Sequence, residues 1–198
     1  RLLLEQKRFS KPTVLRQREN IELILSNCGD PKNEKAWDRK GMVVGSVQSG
    51  KTSNYIGLIN EAVDHGYKII IVIAGNSEDL RSQTQQRINE GFIGEAKNMK
   101  NLRYSKIGVG LYSNKSIKRP DPLTYKEYDF DIEQARKGGI KIEKNQKQPL
   151  VFVIKKNKDI LKNLLDWLKS SPALIGEEKI KVPLLLIDDE ADNASINT

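Results

Sequence analysis

The sequence predicts an α/β domain: a mostly parallel sheet flanked by helices, with a helical extension before it and a basic insertion within it. Three observations predict this. Four short apolar runs, at residues 41–44, 68–74, 150–154 and 182–187, read as strands, and 68–74 is continuously apolar and β-branched, as a strand buried on both faces of a parallel sheet is. Segments of helical periodicity separate them. The resulting alternation of strand and helix is the pattern of a parallel sheet with crossover helices.

Residues 1–26 set Val14, Leu15, Ile21, Leu23, Ile24 and Leu25 among many charges, which predicts one or two amphipathic helices. They belong to an extension over residues 1–40, ahead of the main domain at 41–198. Gly41-Met42-Val43-Val44 reads as a short buried strand, followed by a Gly/Ser turn and a helix over 51–65. The run 68–74 is the clearest strand. Asn76 or Ser77 can cap the next helix, which carries Glu78 and Asp79 in its first turn and reaches about Asn89 before Gly91. Residues 94–148 lose periodicity and hold 13 basic against 7 acidic side chains, so they read as an irregular elaboration without a core of its own. After the strand Leu150–Ile154, a stripe of Ile160, Leu161, Leu164, Leu165 and Leu168 predicts a helix packed on the core. The last strand, 182–187, runs directly into Asp188-Asp189-Glu190-Ala191-Asp192.

A chain of 198 residues is sized for one compact unit. Its apolar runs fall short of the roughly 18 residues that span a bilayer, so no membrane partner is expected. Cys28 is the single cysteine and no basic-then-apolar leader opens the sequence, which points to a cytoplasmic protein. His65 is the single histidine, leaving zinc sites and Ser-His-Asp chemistry with too few groups. The formal charge of +8 favours polyanionic partners.

Gly45-Ser46-Val47-Gln48-Ser49-Gly50-Lys51-Thr52 matches G-x-x-x-x-G-K-[ST] at every fixed position, between a predicted strand and a predicted helix. Each residue type has its own reason to be there. The glycines let successive backbone N–H groups turn toward phosphates, and the helix N-terminus adds positive dipole. Lys51 can reach the outer phosphates, and the Thr52 hydroxyl can ligate magnesium. Nucleotide binding is therefore the leading expectation. Magnesium on a nucleotide also needs a carboxylate, and hydrolysis needs a group that activates water. Asp189 reads as the magnesium-side carboxylate and Glu190 as the base, with Asp188 as the competing register.

Asp189-Glu190-Ala191-Asp192 spells the DEAD signature of superfamily 2 helicases and translocases. Ile71-Val72-Ile73-Ala74 followed by Leu80-Arg81-Ser82-Gln83 resembles the segment that in those enzymes lies along nucleic acid. The chain also resembles the Z1 domain of bacterial putative endonucleases found in restriction and phage-defence loci. That likeness rests on residues 41–60, 71–94 (with Leu80-Arg81-Ser82-Gln83-Thr84-Gln85 and Glu90-Gly91-Phe92-Ile93-Gly94), Lys155-Lys156-Asn157 and 184–198. The resemblance implies a RecA-like P-loop ATPase core using ATP and Mg²⁺, DNA as partner, and a nuclease or other defence subunit alongside. Arg81 and Gln83 become candidate nucleic-acid contacts. A superfamily 2 motor adds a further motif after the acidic strand and a second RecA-like domain that supplies arginines across the cleft. The sequence ends at Thr198, so these residues alone are expected to bind nucleotide better than they hydrolyse it.

The basic stretch carries Lys97, Lys100, Arg103, Lys106, Lys115, Lys118 and Arg119 with Tyr104 and Tyr112 among them. Arg103, Lys106, Lys118 and Arg119 are candidate phosphate-backbone contacts, while a solvated surface reads equally well. Asn157-Lys158-Asp159 lacks the spacing of a guanine-reading N-K-x-D, which argues against GTP. Pro120-Asp121 with Glu177-Glu178-Lys179 makes a weak match to a PD-(D/E)xK nuclease. Trp37 and Trp167 read as packing residues, with adenine stacking a secondary reading for Trp37. A second functional class is an ATPase switch that recruits or gates a nuclease without moving along DNA.

Overall fold

Residues Ile69 to Ile73 form a strand, β1 (Ile69–Ile73), with all five side chains buried. The computed structural model describes residues 10–33, 35, 37–44, 50–112, 120–143, 145–171 and 180–191. β1 lies between β5 (Leu150–Ile154) and β6 (Leu184–Asp188), parallel to both. A two-residue strand, β4 (Asp121–Pro122), extends the sheet beyond β5, again in parallel. The order is therefore β4-β5-β1-β6, a four-stranded parallel sheet.

The period-two alternation of strands sorts their side chains onto two faces. Ile69, Ile71, Ile73, Leu150, Phe152 and Ile154 meet α4 (Ile132–Lys137) and α5 (Lys158–Lys169) on one face. Phe130, Phe152 and Trp167 pack there as an aromatic cluster with centroids 5.5–5.9 Å apart. On the other face Ile70, Val72, Val151 and Val153 meet Ile59 and Ala62 of α2 (Lys51–His65) and Ile88 of α3 (Glu78–Ile88). Each large aliphatic or aromatic side chain so removed from water contributes about 1.5–3 kcal/mol. The fold is thus three layers, helix, sheet, helix.

Local signals set the helix ends. Asn157 accepts from the backbone N–H groups of Asp159 and Ile160 to start α5, and Ser77 accepts from that of Leu80 to start α3. Gly66, at φ 119°, ends α2 in the left-handed region. The extension contributes α1 (Lys11–Asn27), with Ser10 as its cap. α1 lies against α2 at Gly57, where an added Cβ would collide with Ile21.

One expectation is corrected. Residues 41–44 form no strand: the backbone is irregular, and Met42 and Val44 are both 83% exposed. A strand needs a hydrogen-bonding neighbour, and among the described residues none pairs with this run. The stretch 94–148 holds short pieces of strand and helix. β2 (Glu95–Asn98) and β3 (Arg103–Lys106) form a separate antiparallel hairpin. Phe130, Ala135 and Ile142 join the main core, in keeping with a stretch that has no core of its own. Among the described residues no helix is long and apolar enough to cross a membrane.

Candidate functional site

Parallel strands deliver their carboxyl ends to one side of the sheet, and there the predicted chemistry gathers. Gly50, at φ 78°, opens α2 without a side-chain cap, leaving the first-turn N–H groups of the helix for other acceptors. Lys51 and Thr52 stand in that first turn. The Thr52 hydroxyl accepts a hydrogen bond from Arg87 Nη1 at 3.1 Å. Arg87 comes from the last turn of α3, so the bond joins the two helices.

One turn further along α2, Tyr55 is buried, and among the described residues its hydroxyl has no partner in hydrogen-bond geometry. It lies beside Thr52, Thr84 and Asp189 but outside bonding geometry. Burial, reinforced by the negative charge of Asp189, pushes its phenol well above the ordinary range. Tyr55 therefore stays a neutral phenol whose O–H is turned toward the site.

The acidic turn follows β6. The Asp189 N–H donates to Ile73 O at 3.0 Å, carrying the pairing of β1 and β6 one residue past the strand. Burial raises the Asp189 carboxyl above the usual range, and the neighbouring charge of Glu190 adds to this. The Tyr55 hydroxyl and the positive charges of Lys51 and Arg87 act against it. Asp188 faces elsewhere: Lys156 Nζ donates to its Oδ2 at 2.9 Å and to Glu190 O at 3.0 Å. The competing registers thus separate, Asp189 on the Thr52 side and Asp188 paired with Lys156. The Glu190 side chain lies over Gly75, at φ 76°. An added Cβ there would stand 3.3 Å from Glu190 Cγ and 3.0 Å from Leu80 Cδ1, so the position requires glycine.

The Thr52 hydroxyl and the Asp189 carboxylate both lie beside Tyr55, and hard oxygens of these two kinds are the donor types that magnesium takes. Among the described residues no three His, Cys, Asp or Glu side chains gather into a metal cage.

Of the predicted residues, the structure brings together Lys51, Thr52, Asp189 and Glu190. Gly45, Ser46, Val47, Gln48 and Ser49 lie outside the described residues, as do Lys118 and Arg119. Arg81 is corrected: it has no exposed surface, and its guanidinium is held by Glu78 and by the carbonyls of Tyr125 and Lys126, so it contacts no nucleic acid. Gln83 on α3, and Arg103 and Lys106 on β3, are exposed. Trp37 packs edge-on against Tyr67, near the amino end of β1 and so opposite the acidic turn, and bonds to Asp30 O. Trp167 is core.

Sequence reasoning missed Tyr55, Arg87 and Lys156. Tyr55 had a usable signal, its three-residue spacing from Thr52 on one helix face. Comparison of the chain with family models, curated proteins and solved structures gave no match.

Proposed function

We propose that the domain is a RecA-like P-loop ATPase of helicase-like design, acting with DNA in bacterial restriction or phage defence. One observation carries the ATPase reading: residues far apart in sequence, Thr52 beside the phosphate-loop motif and Asp189 of the acidic turn, converge around Tyr55 at the carboxyl end of the sheet. In this reading the free N–H groups of the first turn of α2 and the Lys51 ammonium bind the phosphates. Thr52 and Asp189 would hold magnesium, which when bound would supply positive charge to the transferred phosphoryl group. Glu190 takes a proton from the attacking water, and Lys156 positions the turn that presents it. The resemblance to superfamily 2 and Z1 proteins supports DNA and a nuclease as partners.

ATP turnover with and without duplex and single-stranded DNA tests the proposal. Lys51→Ala should abolish turnover by removing phosphate binding, and Glu190→Gln should lower it about 10²–10⁴-fold. Turnover that survives both substitutions sinks the ATPase reading. A severalfold rise with DNA supports the motor form, and indifference to DNA supports a switch that gates a nuclease.

A further inference from the structure

Thr52 and Asp189 hold the oxygens that a divalent cation would use, yet a cation already stands at one of them. Arg87 reaches from α3 to α2 and donates to Thr52 Oγ1 at 3.1 Å. Its neighbours on α3, Arg81, Thr84, Gln85 and Ile88, turn inward and are buried, whereas Arg87 is exposed. It stands on a long flexible side chain, and its contact with Thr52 is free to exchange for another acceptor.

We propose that Arg87 is a stand-in for the metal, a guanidinium that occupies the Thr52 hydroxyl when magnesium is absent and lets the site take a nucleoside triphosphate without it. The inference rests on the nucleotide-binding reading above. A triphosphate arriving without metal is a concentrated anion, and Lys51 and a helix N-terminus alone answer little of that charge. A planar guanidinium beside Thr52 offers paired N–H donors that match phosphate oxygens. When magnesium arrives with the nucleotide, its two positive charges compete with the guanidinium for the same hydroxyl and repel it. Arg87 then swings away and its contribution is replaced. The two cations act in alternation, so their effects on affinity are not additive.

The test is ATP affinity by calorimetry, in EDTA and in magnesium, for the unsubstituted protein, Arg87→Ala, Arg87→Lys and Lys51→Ala. Loss of one charge-assisted contact predicts that Arg87→Ala weakens binding about tenfold in EDTA and less than about twofold in magnesium. Arg87→Lys keeps the charge but not the paired donors, so it restores only part of the EDTA affinity. Unchanged thermal unfolding of both Arg87 variants shows that folding is not the cause. Equal weakening in both conditions would make Arg87 an ordinary phosphate ligand. No weakening in EDTA would make it a bond between helices. Either result overturns the proposal and leaves nucleotide binding standing, because Lys51→Ala still loses affinity in both conditions. If the unsubstituted protein binds no ATP in either condition, the underlying reading fails with it.

Discussion

Arg81 has no exposed surface, and a charge so buried is tolerated only when paired and hydrogen-bonded. Its Nε and Nη2 donate to Glu78 Oε1, Nη1 to Tyr125 O at 2.9 Å and Nη2 to Lys126 O at 2.7 Å. Glu78 is therefore the counter-charge, and it also holds Lys155 at 3.0 Å. Burial alone would raise the Glu78 carboxyl, but its hydrogen bonds and ion pairs with Arg81 and Lys155 outweigh that and leave it below its ordinary 4.5. A carboxylate with a depressed folded-state value contributes stability above its unfolded value and loses it as pH falls through the folded one. Glu78→Gln should thus cost about 1–2 kcal/mol at neutral pH, discounted because Glu78 is half exposed and the carbonyls still hold the guanidinium. Urea unfolding at neutral pH and at roughly pH 3 measures the difference between the two proteins. The gap should close in acid. Asp129, which burial pushes the other way, is common to both proteins and cancels. A gap that persists in acid would show that the Glu78 charge is not what balances Arg81.

Between elements, one hydroxyl ties the β4 end of the sheet to α3. Thr124 Oγ1 accepts from Val153 N at 2.8 Å and donates to Gln85 Oε1 at 2.7 Å, and Gln85 in turn donates to Asn89 Oδ1 at 2.9 Å. All of it is buried, so Thr124→Val strands a donor and an acceptor at once. The expected loss is about 2–4 kcal/mol, or a fall of roughly 5–10 °C in Tm, with Thr124→Ser recovering most of it. A neutral Thr124→Val would show that water reaches these groups. Nothing in the sequence pattern marks Thr124, which sits in a stretch read as an elaboration. The longer helices and the strands β1, β5 and β6 were legible because their signals are local: apolar runs, a Leu stripe and Ser77 as a cap. Residues 41–44 carry the same apolar signal, but a strand is completed by its neighbour, and local composition does not say whether one pairs. β6 shows this too. It is as apolar as the inner strands, yet among the described residues it is an edge strand with Leu186 52% exposed. In the site, Lys51, Thr52, Asp189 and Glu190 were legible from motif spacing, whereas Arg87 reaches Thr52 across 35 residues of sequence through the packing of two helices.

Across the whole molecule the formal charge is +8, and the described part of its basic stretch concentrates on the hairpin β2–β3. The register decides which of those charges can act together. Lys97 faces Tyr104 and Glu95 faces Lys106, so Lys97, Tyr104 and Lys106 share one face, while Arg103, opposite Asn98, lies on the other. Only the first face pairs cations with an exposed aromatic ring of the hairpin: Tyr104 is 56% exposed, and the Lys97 ammonium stands 5.5 Å from its centroid. A single strand of nucleic acid gripped by phosphate contacts and base stacking would use that face. On the DNA-dependent form of the proposed function, Lys106→Glu should weaken binding to a single-stranded oligonucleotide. It should also make the slope of log affinity against log salt shallower by about 0.7, the loss of one phosphate contact. Arg103→Glu should do less, and neither should alter ATP affinity, which resides at the carboxyl end of the main sheet. Fluorescence anisotropy across a salt series reads all of these. If both reversals leave the slope unchanged, the hairpin charge is a solvated surface, and a DNA-binding track must lie elsewhere on the molecule.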